Sequence, residues 1–217
     1  LGRIMKLEKE SSEHFDRKAR EIVVDCIQRC AASHAAETTA TVIHIPSEEM
    51  KGRIIGKEGR NIKTIEKLTG CELVIDETPD SIVISGFSPI RREVARIAIE
   101  RLIADGRIQP ARIEEFIERA KTDLSAEIKK AGEEALYKMG ITGLDPKLVT
   151  IVGRLKFRTS YGQNVMNHSM EVGYLASMMA AELGLDQGKA KRCGFFHDIG
   201  KSVDHETQGS HPEIGFM

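Results

Sequence analysis

Residues 45–76 read IPSEEMKGRIIGKEGRNIKTIEKLTGCELVID, two short amphipathic segments joined at Gly56-Lys57-Glu58-Gly59. Ser47 is placed to cap the first segment, Ser47 to Ile55. Glu48 and Glu49 stand in its opening turn, where the helix dipole favours acids. After the glycines, Arg60 to Leu68 carries Ile62, Ile65 and Leu68 at helical spacing and stops at Gly70. Upstream, Thr39 to Ile45 alternates β-branched side chains and closes at Pro46, so it reads as a strand. Downstream, Glu72 to Asp76 and Ser81 to Ser85 form two strands around a turn at Thr78-Pro79-Asp80. Pro89 then opens a helix over Ile90 to Ala104, closed by Asp105-Gly106. The order is strand, helix, GxxG, helix, strand, strand, helix.

Helix surrounds this unit on both sides. Residues 1–36 place Phe15, Ala19, Ile22, Val23, Cys26, Ile27 and Cys30 at three- and four-residue steps, a stripe suited to the end of a coiled coil or a dimer arm. Cys26, Cys30 and His34 share one face, but a zinc site draws its ligands from more than one element, and small buried side chains explain them better. Beyond Pro110, residues 111–139 carry Ile113, Phe116, Ile117, Ala120, Leu124, Ile128 and Ala135 as a helical stripe. Asp145-Pro146 starts a further helix. RLKFRTSYGQN, residues 154–164, is either a lining for a substrate path or a solvated connector.

Residues 165–183 form a helix with a core face of Val165, Val172, Leu175, Ala176, Met179 and Leu183, and with His168 on its buried side. The next helix ends in CGFFHDIGK, residues 193–201, where His197 and Asp198 follow an apolar run and the helix stops at Gly200. Burying an imidazole and a carboxylate there without compensation is costly, and a divalent cation compensates both; the alternative is an exposed helix end with both facing water. Two antiparallel helices joined by a short turn bring His168 beside His197 and Asp198. Lys201 lies within reach of a phosphate oxygen, or is an ordinary cation at a helix end. His211, in GSHPEIG, is a further candidate ligand. Asp204 and His205 are weaker ones, in a stretch that reads as solvated.

Composition narrows the class. The 217 residues are 41% hydrophobic and 30% charged with a net charge of −1, which fits globular packing in two modest domains. No apolar run is long enough for a membrane span. Four cysteines are too few for a disulfide framework, so a reducing, cytoplasmic compartment is expected. The chain opens on Leu1 and stops soon after the His-Asp segment, as an excerpt of something longer would.

The element order and GxxG placement of residues 45–76 resemble a KH domain of the first topological type. His168, His197-Asp198 and Gly200-Lys201 resemble the HD metal-dependent phosphohydrolases. The two in this order, with FRTSYGQNV, HDIGK and GSHPEIG, are similar to the ribonuclease Y family across nearly the whole chain. The resemblance implies an α+β architecture in three parts: an N-terminal helix over 1–37, a KH domain over 38–108 with a three-stranded sheet and three helices, and an all-α HD part over 109–217 with its core at 164–217. It implies an endoribonuclease that starts messenger RNA decay by cutting single-stranded RNA.

In that reading the KH loop clamps RNA with Lys51, Arg53, Gly56, Lys57, Glu58, Gly59, Arg60 and Lys63, and Ile54, Ile55 and Ile62 form the groove against which bases lie. His168, His197, Asp198 and His211 hold a divalent ion (Mg, Mn or Zn), and His197, Asp198 and Lys201 are catalytic. The HD families take one more ligand, an Asp on a later helix, and nothing before Met217 matches it. The family also implies a homodimer through the N-terminal helix, partners in an RNA-decay complex, and attachment to the cytoplasmic face of the membrane through a preceding segment. Two alternatives stand beside the nuclease. One is a KH RNA-binding scaffold without catalysis; the other is an HD nucleotide phosphohydrolase regulated by RNA.

Overall fold

The computed structural model describes residues 2–30, 40–75 and 80–217. Helix α1 runs over Gly2–Cys30 and lies against α7 (Val165–Glu182). Of its apolar stripe, Cys26 is buried and Ile22 half-buried, whereas Phe15, Val23 and Ile27 stay exposed. Contact with α7 thus leaves much of this stripe uncovered among the described residues. His34 and the Cys30 side chain lie outside the described residues, so the grouping of Cys26, Cys30 and His34 does too.

The GxxG unit follows as β1 (Ala40–His44), α2 (Glu48–Ile55), a 3-10 turn at Lys57–Gly59, α3 (Arg60–Thr69), β2 (Glu72–Val74), β3 (Ser81–Ser85) and α4 (Pro89–Asp105). Local chemistry sets the helix starts. The Ser47 hydroxyl accepts from Met50 N–H, and Ser88 accepts from Arg91 N–H ahead of Pro89. Strand β3 is central in an antiparallel sheet of order β1-β3-β2, with Val42 opposite Val83 and Val74 opposite the same residue. Its inward side chains, Ile82 and Ile84, are fully buried under the helices.

Helix α5 (Pro110–Met139) is the longest element among the described residues, about 45 Å at 1.5 Å per residue. Its first half, through Ile113, Phe116, Ile117, Ala120, Leu124 and Ile128, packs into the same core as the sheet. Its last turns, Ala135, Leu136 and Met139, belong to a second core with Val152, Leu155, Val165 and Phe195. The first core therefore reaches well past residue 108. Helix α6 (Pro146–Arg154), capped by the Asp145 side chain, packs on α5, and a 3-10 turn over Leu155–Phe157 leads into a hairpin. That hairpin, β4 (Thr159–Ser160) with β5 (Gln163–Asn164), adds two short strands to a half expected to be wholly helical.

Helices α7 and α8 (Gln187–Phe196) pack antiparallel as expected, but on a different face. Met179 and Leu183 are exposed, and the buried line of α7 is Val165, Met166, Ser169, Gly173, Ser177 and Ala180. Small residues win this face because the backbones nearly touch. A Cβ on Gly194 would sit 2.9 Å from the Val172 carbonyl oxygen and 3.0 Å from Gly173 Cα. Helix α8 ends at Phe196, earlier than Gly200, and a 3-10 turn over Ile199–Ser202 precedes α9 (His211–Phe216). Gly194→Ala therefore forces α7 and α8 apart, at a cost of about 1–3 kcal/mol. Thermal unfolding should show a melting temperature lower by about 2–4 °C for each kcal/mol.

Candidate metal centre and nucleic-acid loop

Three elements meet at the Asp198 carboxylate, which is 4% exposed. His168 comes from the first turn of α7, its Nε2 3.7 Å from Asp198 Oδ2. His197, the C-terminal cap of α8, places Nε2 at 3.3 Å from the same oxygen. His211, the first residue of α9, brings Nε2 to 3.4 Å from Oδ1. Lys201 Nζ donates to Oδ2 at 2.8 Å. Glycine again permits the approach: a Cβ on Gly200 would collide with the His211 carbonyl, so α9 lies directly on the 3-10 turn. A capping box between Ser210 and Glu213 starts α9 at the residue that faces the site.

Tautomers make the arrangement specific. His197 Nδ1 lies 2.7 Å from the Gly194 carbonyl oxygen, which only accepts, so Nδ1 carries the hydrogen. The Nε2 lone pair then points at a carboxylate oxygen, and two electron-rich atoms 3.3 Å apart require a proton or a cation between them. Ligand atoms of His168, His197 and Asp198 lie within 4.8 Å of one another, so this donor set fits a divalent ion. Burial alone would raise the Asp198 pKa. The Lys201 hydrogen bond and the nearby His197 and His211 outweigh it and hold the carboxyl below its ordinary range. Burial, helped by His197, lowers the pKa of His168 despite the pull of Asp198, which keeps the imidazole available as a lone-pair donor.

Asp204 and His205 are placed elsewhere. Asp204 takes an ion pair from Arg158 at 3.3 Å and stands 3.6 Å from His205 Nε2. Both side chains are largely covered rather than solvated, and His205 lines a small seam between the start of α4 and the turn after Lys201.

The GxxG loop presents a second surface. Gly56 and Gly59 both have φ of 71°, and Glu58 between them is also left-handed at 56°. A side chain at Gly56 would run into Asn61, 2.7 Å away. Asn61 in turn donates to the carbonyls of Arg53 and Ile108 at 3.0 and 3.4 Å, fixing the loop to the segment before α5. Lys57, Glu58, Arg60 and Lys63 are exposed at the start of α3, where backbone N–H groups favour phosphate. Arg53 is exposed and paired with Glu49 at 2.7 Å; it borders, with Lys57 and Arg107, an open cleft of about 540 Å³. Ile55 and Ile62 are half-buried.

Two residues leave the expected RNA-facing set. Lys51 is 5% exposed and lies 3.6 Å from Glu48, while Ile54 is 1% exposed within the first core. Both sit on the inner side of α2, so neither can touch a bound strand. Sequence reasoning also passed over Asn61 and the contacts through Gly194 and Gly200. Polar and glycine residues on an apolar helix face were the available signal.

Comparison with known proteins agrees with this division. A KH domain model matches residues 39–101 and an HD domain model matches residues 165–216. A protein named ribonuclease Y from Thermoanaerobacter pseudethanolicus is 62% identical over 98% of this chain. Those of Desulforamulus reducens and Alkaliphilus metalliredigens are each 59% identical over 98% and 96% of it. The chain covers 42%, 41% and 44% of these three relatives' own lengths, under half of each.

The depressed His168 pKa gives acidification a definite sign. Below about 6.5 the unfolded chain takes up a proton at this position before the folded one does, so stability falls as the pH drops through and below that value. Urea unfolding at pH 7.5 and 5.5 checks it: the loss on acidification should shrink in His168→Gln.

Proposed function

The chain belongs to the ribonuclease Y family, and we propose that it supplies the RNA-binding and most of the metal-holding parts of an endoribonuclease that hydrolyses phosphodiesters of single-stranded RNA. The observation carrying this reading is the convergence of His168, His197 and the buried Asp198 carboxylate, whose ligand atoms lie within 4.8 Å of one another, the donor set a divalent ion takes. A divalent ion bound there would neutralise phosphate charge and make water nucleophilic near neutral pH. His168, His197 and Asp198 hold it, and His211 faces the free carboxylate oxygen. Lys201 has its ammonium at the same carboxylate and is placed to donate to a phosphate oxygen. The imidazoles suit Zn and the carboxylate suits Mg or Mn, so the donor set does not single out one of the three.

The GxxG loop holds the strand. Gly56, Lys57, Glu58, Gly59 and Arg60 supply the backbone approach and the positive rim, with Lys63 one turn on, and the exposed Arg53 beside them. In the whole protein we place this activity in messenger RNA decay, in the cytoplasm and at the cytoplasmic face of the membrane. Family likeness supports that placement; among the described residues no helix is long and apolar enough to cross a membrane. Pairing of two chains along α1 is supported by Phe15, Val23 and Ile27, which remain uncovered. Association with an RNA-decay complex rests on the family alone.

Cleavage of a labelled single strand by the intact protein tests the first claim. EDTA should abolish it, and His197→Ala with Asp198→Ala should lower it by a factor of at least about 100. Undiminished cleavage in either case removes the centre. For the loop, Gly56→Asp with Gly59→Asp should weaken RNA binding by about tenfold or more, since it adds charge and strain where phosphate approaches. Filter binding at two salt concentrations reads the effect, and parent affinity should fall as salt rises.

A further inference from the structure

We propose that Tyr161 is a substrate-positioning residue: its ring is a platform on which one base of a single strand stacks while the neighbouring phosphate lies at the His-Asp cluster. This rests on the reading of that cluster as the RNA-cleaving centre. Pairing of Thr159 with Asn164 and of Ser160 with Gln163 leaves Tyr161-Gly162 as a two-residue hairpin turn. Both turn residues have positive φ, 50° and 76°. Such a turn is most stable with Asn, Asp or Gly at its first position, and an aromatic residue there is strained. Tyr161 is 92% exposed, so it is not held there as part of a hydrophobic core. Neither turn preference nor core burial accounts for a tyrosine at this position.

Its location does. Lys201 Nζ lies 5.8 Å from the centre of the Tyr161 ring and 2.8 Å from Asp198 Oδ2, so one ammonium group separates ring and cluster. The hairpin is also tied to the site. Val165 N–H donates to the Arg158 carbonyl across the hairpin base, and the Asn164 side chain caps α7 by accepting from Asn167 N–H. One residue later in that first turn stands His168.

The cations in the same stretch are otherwise engaged. Arg154 pairs with Glu206, Lys156 with Glu127 and Arg158 with Asp204. What this segment offers an incoming strand is therefore an aromatic face more than positive charge. Stacking on such a face tolerates any base and needs one that is not already stacked on both sides, which selects single strands over duplex.

Three variants of the intact protein test this. Tyr161→Asn, with a residue the turn prefers, should melt no lower than the parent, yet raise KM for a single-stranded oligonucleotide roughly tenfold with kcat within about twofold. Tyr161→Phe should restore KM. Tyr161→Trp adds a fluorophore to a stretch of 217 residues that has no tryptophan, and single-stranded RNA in EDTA should quench its emission while duplex RNA does not. An unchanged KM in Tyr161→Asn, or emission indifferent to saturating single strand, overturns the platform while the centre stands. Cleavage that survives His197→Ala with Asp198→Ala overturns the centre and the platform with it.

Discussion

A single buried carboxylate governs the C-terminal half of this molecule. Taking Asp198 out of water costs several kcal/mol unless opposite charge and hydrogen bonds return it. The return comes from Lys201, three residues past it on the 3-10 turn, and from imidazoles carried by α7, α8 and α9. Each of these elements must come close, and each does so by omitting side chains. Gly173 and Gly194 let α7 and α8 touch, and Gly200 lets α9 lie on the turn. The packing of small residues is thus the means by which a charged centre is assembled inside a helical bundle.

The N-terminal half solves the opposite problem, keeping its functional groups out of the core. The GxxG loop joins α2 to α3 beside a three-stranded sheet, and positive φ at Gly56, Glu58 and Gly59 makes the tight turn that leaves the Lys57, Glu58 and Arg60 side chains exposed. Asn61 secures it from beneath, with one amide nitrogen bonded to carbonyls on two different segments. The loop is therefore a fixed feature of the fold.

Much of this was legible in the residues. Capping serines, prolines at helix starts and glycines at helix ends marked the elements between residues 40 and 105 to within a residue or two. His168, His197 and Asp198 were legible because their side chains are expensive to bury for any reason other than a shared ligand. What escaped was orientation around a helix axis. Ile54 and Ile55 are adjacent isoleucines, and composition does not say which one faces inward; the structure buries Ile54. Lys51 carries a long apolar stem that lets a cation lie on the inner side of α2 beside Glu48. On α7 the large residues Met179 and Leu183 suggested a core face, but close backbone contact rewarded Ser169, Gly173, Ser177 and Ala180 instead. Arg158 and Asp204, 46 residues apart, form a pair that no local pattern announces.

Helix α5 has a thermodynamic meaning beyond its length. It is a single uninterrupted helix whose first half is indispensable to one hydrophobic core and whose last turns are indispensable to the other. Such a helix cannot melt in one core and persist unchanged in the other without exposing apolar surface at the junction. Opening of one core therefore costs apolar burial on a helix the other core also uses, which couples the stabilities of the two halves.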